Sequence, residues 1–131
     1  MTIKEKIMSE EMQVPRAVIM CNHGDADSIM AALIMGAAAS ATGDQVLMFF
    51  QPGAAKMLVK GELEKLNGLP GLPDPMYLYD SIVTLDGRFI LCELGLPNKG
   101  IKKEDLREEV EVRMAADFLL DAEGAQKFFS Y

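Results

Sequence analysis

Apolar positions along this chain fall into short unbroken blocks separated by helix-like stripes, a pattern that points to strands covered on both faces. The first block, Arg16-Ala17-Val18-Ile19-Met20-Cys21, follows Pro15 and shows no alternation, as central parallel strands do. A helix over Ala26–Ala41 comes next, opened by Asp25 or Asp27 as a cap and closed by Gly43. Gln45–Phe50 is the second block, and strand, helix and strand at this spacing make a right-handed crossover with parallel strands. Residues 54–66 read as helical with a break at Gly61, and residues 67–75 read as loop because Gly68, Pro70, Gly71, Pro73 and Pro75 forbid regular structure. Asp74 and Pro75 then start a helix whose apolar stripe is Met76, Leu78, Tyr79, Ile82 and Leu85. The third block, Phe89 to Cys92, begins after the turn signal Asp86-Gly87 and runs into a loop holding Gly95, Pro97, Asn98 and Gly100. Residues 102–106 suggest a helical turn, residues 110–114 alternate like a strand near an edge, residues 115–122 are helical, and residues 125–130 form a last strand. The pattern predicts a three-layer α/β/α domain with a mostly parallel sheet of about five strands.

Residues 14–131 are expected to form this one domain, preceded over residues 1–13 by a tail or short docking helix with Ile3, Ile7 and Met8 on one side. The Ala26–Ala41 segment carries Ile29, Met30, Leu33, Ile34 and Met35 among alanines, with hardly a face suited to water. A second copy of the chain is the natural cover, so a homo-oligomer is expected. Charge narrows the partners: 13 lysines and arginines stand against 20 aspartates and glutamates, a formal net charge of −7, which argues against nucleic acid and anionic membranes. The longest uncharged run, residues 28–43, is too short to span a bilayer. Two cysteines make no disulfide framework, and Lys4, Glu5, Lys6, Glu10 and Glu11 do not suit a cleavable signal, so the expected location is the cytoplasm with reduced thiols.

Candidate chemistry centres on Cys92. A thiol on the last residue of a buried strand has a backbone fixed by the sheet and a side chain able to face the crevice where α/β proteins hold ligands. Lys99, Lys102 and Lys103 follow in the next segment, and cations favour the nucleophilic thiolate. Cys21-Asn22-His23-Gly24-Asp25-Ala26-Asp27 is the second constellation. The ends of the first and third strands often lie close, so Cys21 is a candidate resolving thiol and His23 a candidate proton relay. Against these stand a buried Cys21, a His23 with one backbone hydrogen bond and aspartates that only cap a helix. Metal ligation by Cys21, His23, Asp25 and Asp27 is disfavoured because closely spaced donors on a turn do not converge on one point. Two acidic residues in the first helical turn also oppose a phosphate there. No cofactor is expected.

A cysteine ending the third main strand, then seven residues, then Gly100-Ile101-Lys102-Lys103-Glu104-Asp105-Leu106, resembles the signature of the DsrE/DsrF-like family of small sulfur-relay proteins. The Cys21-to-Ala41 strand end and small-residue helix, the Gln45–Phe50 strand after Gly43, the Gly87-Arg88-Phe89-Ile90 lead-in and the closing segment 115–131 fall where that family has its elements. The resemblance implies a cytoplasmic protein that carries sulfane sulfur as a persulfide on Cys92 and exchanges it with a thiol protein such as a TusA-like carrier. It also implies a homotrimer or hexamer. Two other classes compete: a thiol peroxidase or redox protein, for which Cys21 is the only internal resolving candidate, and a non-catalytic assembly subunit in which Cys92 is merely packed.

Overall fold

A computed structural model describes residues 1–5 and 14–131. The tail or short docking helix expected over residues 1–13 lies largely outside the described residues. Three of the sequence blocks form strands β1 (Arg16–Cys21), β2 (Gln45–Phe50) and β3 (Arg88–Cys92), and two further strands, β4 (Val110–Arg113) and β5 (Lys127–Ser130), complete one sheet. The order is β4-β3-β2-β1-β5 and every pairing is parallel. Helices α1 (Ala26–Ala41), α2 (Pro75–Thr84), α3 (Gly95–Lys99) and α4 (Ala115–Asp121) connect them, giving the three-layer α/β/α fold.

The strand order decides how the layers are filled. The chain steps from β1 through β4 in one direction, and right-handed crossovers taken in one direction lie on one face of the sheet. That face, carrying Ile19, Cys21, Met48, Phe50, Phe89 and Leu91, packs against α1, α2 and the segment between β2 and α2 in the larger core cluster. Reaching β5 requires a return from one edge of the sheet to the other, and the helix of that return, α4, lies on the opposite face. There Phe118 and Ala122 meet Val18, Leu47, Phe49, Ile90 and Cys92 in a separate, smaller cluster. Among the described residues, one seven-residue helix is the layer on this side.

Much of the cover that α1 was expected to draw from a second copy comes from within the chain. Ile29, Met30 and Leu33 are fully buried with Leu78, Tyr79 and Ile82 of α2 in the same cluster. Exposed large apolar side chains gather instead around α4, at Leu94, Met114, Leu119, Leu120 and Phe128.

Two connections differ from expectation. Residues 54–66 do not form an α-helix: 3-10 helices run over Pro52–Leu58 and Leu63–Leu66, separated where Val59 bridges antiparallel to Leu106 and Gly61 takes φ 86°. A positive φ at Gly61 cannot continue a right-handed helix. The segment after Cys92, read as loop, folds into α3 because Pro97 falls in the first turn, where its missing N–H costs no helical bond. Gly100 ends it in the left-handed region at φ 64°.

The thin layer is held by three devices. Phe118 stacks on Phe49 with centroids 4.1 Å apart. The Asp121 carboxylate accepts from Arg113 Nε and Nη2, each at 3.0 Å, and from Arg88 Nη2 at 3.2 Å. Arg16 Nη1 donates to the carbonyls of Asp121 and Glu123 at 3.2 Å, meeting the carbonyl end of the helix with a cation. Arg88 also forks onto Glu111 at 2.8 Å. Among the described residues no helix is long and apolar enough to cross a membrane.

Asp121→Ala is expected to lower the unfolding free energy by about 2 kcal/mol in urea titration, since it strips α4 of three charge-assisted hydrogen bonds from two arginines; a loss under about 0.5 kcal/mol would remove this carboxylate from the account of α4 docking. A pH dependence follows as well. The Arg88 hydrogen bonds hold Glu111 below its ordinary value of 4.5. A carboxyl depressed on folding stabilises the fold above its unfolded value, and that contribution is lost as pH falls through the folded one. Stability should therefore fall as pH drops below about 4.5, and Glu111→Gln should make that fall shallower in urea midpoints measured across the acid range.

Candidate functional site

All five strands are parallel, so their carboxyl ends share one side of the sheet. After β3 the chain turns to the α1/α2 face, where Gly95, Leu96 and Leu106 pack; after β4 it turns to the α4 face. Adjacent strands whose exits diverge in this way open a crevice between their ends, the place where open α/β sheets hold ligands. Cys92 ends β3, Arg113 ends β4, and the two are register partners across that crevice. The Glu93 N–H donates to the Arg113 carbonyl at 3.0 Å and closes the ladder beneath it.

Cys92 belongs to the α4 face and is 6% exposed. It lines an open pocket of about 410 Å³ whose walls include Val18, Phe49, Leu94, Phe118, Leu119 and Phe128. Among the described residues Cys92 is the pocket's one ionisable lining group, and Gln51 is its polar neighbour there. The lysines that follow in sequence do not enter. Lys99 lines a separate recess with Lys56, Glu62 and Asp105, while Lys102 and Lys103 start the 3-10 turn Lys103–Asp105. The cation adjacent in the sheet is Arg113, and its guanidinium is committed to Asp121. The site is therefore a thiol in a largely apolar wall with a neutralised ion pair alongside.

Cys21 is placed differently. It is 1% exposed, lies on the α1 face, and burial pushes its thiol up from the ordinary value. Strand β2 separates it from β3, so their backbones stand about 10 Å apart, beyond the roughly 7 Å that a disulfide spans. Both cysteines are free.

His23 is exposed in the turn after β1 and is not among the groups lining the Cys92 pocket. That turn is pinned on both sides. The Asn22 N–H donates to the Tyr131 carbonyl and Asn22 Nδ2 to Ser130 Oγ, both at 2.7 Å. Gly53 comes so close that a Cβ there would stand 2.3 Å from the Asn22 carbonyl oxygen. Asp25 caps α1 by accepting from the Ser28 N–H at 3.1 Å, and hydrogen bonding from Ser28 lowers its carboxyl. Asp27 is exposed in the first turn. Cys21 thus turns into the core while His23, Asp25 and Asp27 face outward, and among the described residues no group of three or more such side chains is arranged to hold a metal.

Sequence reasoning placed Cys92 at a strand end but missed what surrounds it. Arg113 and Asp121 stand eight positions apart and belong to no motif, and only the pairing of β4 with β3 brings Arg113 beside the thiol. The apolar walls had a faint signal in the Phe118-Leu119 pair and in Phe128, which is 66% exposed on an edge strand.

No family model and no curated protein matches the chain. Solved structures do. The ychN protein from E. coli superposes with a TM-score of 0.71 at 16% identity, covering 89% of this chain and 99% of that one. MTH1491 from Methanobacterium thermoautotrophicum, described as a protein of unknown function, gives a TM-score of 0.69 at 14% identity with the same coverage. At such identities the likeness extends to the fold and no further: this chain has the DsrE/DsrF-like fold.

Proposed function

We propose that the chain is a cytoplasmic sulfur-relay protein that holds sulfane sulfur as a persulfide on Cys92 and passes it to or from a partner thiol protein, a TusA-like carrier being the expected kind. The observation that carries this reading is the contrast between the two thiols. Cys92 lines an open pocket on the α4 face of the sheet, whereas Cys21 is enclosed on the other face. The Cys92 sulfur attacks the outer sulfur of an incoming persulfide, the donor S–S bond breaks, and its electron pair leaves on the donor thiolate. Transfer onward repeats the step with Cys92 as the leaving thiolate. His23 has no place near the thiol in this scheme, and Cys21 is not needed for it.

A second reading has its own support. The exposed Leu119, Leu120 and Phe128 on the thin side suit a subunit contact, in which case the chain is an assembly component, as a homotrimer or hexamer, with Cys92 packed at the interface.

Reduced protein incubated with a polysulfide donor and weighed intact is expected to gain the mass of one sulfur atom, reversibly with added thiol. Cys92→Ser should abolish the gain and Cys21→Ser should retain it. No gain in the wild type, under conditions that load a known persulfide acceptor, would overturn the relay reading and leave the assembly reading standing.

A further inference from the structure

The pocket beside Cys92 carries an inference about what delivers the sulfur, and it rests on the relay reading above. We infer that the donor is an apolar low-molecular-weight persulfide, an alkyl or aryl hydropersulfide whose hydrocarbon part fills the pocket and whose terminal sulfur meets Cys92.

Size, charge and rigidity support this class together. A volume of about 410 Å³ falls within the range of small-molecule sites, roughly 300–1,000 Å³. The walls come from four adjacent strands, β3, β2, β1 and β5, and from α4, with Phe118 stacked on Phe49, so the cavity is largely formed before anything enters. Charge complementarity sets the polarity of the occupant. Among the described residues no lysine, arginine, histidine, aspartate or glutamate lines the pocket, and Arg113 spends its guanidinium on Asp121. An anionic carrier such as glutathione persulfide would lose hydration for its carboxylates without gaining a partner. A hydrocarbon carrier loses nothing of that kind and buries apolar area against Val18, Phe49, Phe118 and Leu119.

The transfer balances without another reagent. For a donor R–S–SH, the Cys92 thiolate bonds to the terminal sulfur, the S–S bond between the two donor sulfurs breaks, and R–S⁻ departs with the electron pair while the hydrogen stays on the transferred sulfur. No oxidant or reductant is consumed. The departing thiolate takes up a proton from water at the open mouth.

Binding and transfer can be read separately. Benzyl methyl sulfide, which has the shape of such a carrier but no transferable sulfur, should bind the Cys92→Ser protein saturably, with amide shifts confined to the pocket strands and α4 by nitrogen-15 NMR. S-methylglutathione, the charged thioether, should bind at least about tenfold more weakly. Leu119→Glu and Phe128→Glu, which place a carboxylate on exposed parts of the wall, should each weaken the benzyl probe by about tenfold while leaving the fold intact by circular dichroism. Wild-type protein should then gain sulfur faster from benzyl hydropersulfide than from glutathione persulfide, each rate divided by that for a free model thiol. Absence of saturable binding, equal binding of the charged thioether, or equal normalised loading rates would overturn the inference. Loss of probe binding as protein concentration and sedimentation coefficient rise would overturn it in favour of a second copy in the pocket. Saturable binding with no sulfur gain from any donor would support the apolar site and overturn the relay reading alone.

Discussion

A parallel sheet has to be covered on both faces, and the course of this chain makes the two covers unequal. Every forward crossover lays its helix on one side, so that side receives α1, α2 and the 3-10 segments and builds the larger core. Among the described residues, the other side depends on a single return crossing. Seven residues of helix cannot blanket five strands, and the shortfall is what leaves Val18, Phe49 and Cys92 on the wall of an open pocket. The candidate site is thus a by-product of topology: β1, β2 and β3 beneath it are the most buried strands of the sheet, and only the covering layer is incomplete.

Holding so small a layer in place explains the unusual concentration of arginine around α4. Arg88 and Arg113 reach one aspartate from neighbouring strands, and Arg16 reaches the helix's last carbonyls from a third. Apolar contact through Phe118 supplies the driving force, while these charge-assisted bonds fix the helix's position along the sheet. An ion pair placed this way also quiets the field beside Cys92. The cation nearest in the sheet is not free to attract anions into the crevice, which separates this pocket from the electropositive surroundings usual for activated thiols.

Legibility followed the range of the interactions. Unbroken apolar blocks, the Asp25 and Asp74 caps and Gly43 are local signals, and the strands and helices that depend on them stand where the sequence placed them. Residues 54–66 break at Gly61 as the sequence suggests, but they form 3-10 turns because their geometry is set by a distant partner, Leu106, which local composition does not reveal. The relation between the two cysteines was illegible for a sharper reason. Cys21 is level with Phe50, and Phe50 with Leu91, so Cys92 lies one residue further along the sheet. One residue of register reverses a side chain's face. A reading that saw two strands ending in cysteine had no means of knowing that their thiols point opposite ways.

That single-residue offset has a kinetic consequence. With a sheet between its two thiols, one molecule of this chain cannot close a ring on itself, so whatever covalent state Cys92 acquires is discharged only in an encounter with another molecule. Decay of such a state is second order, its lifetime set by the concentration of the reaction partner and not by any internal clock. The sheet acts as insulation, and the chain behaves as a one-terminal device that can store a group for as long as it remains alone.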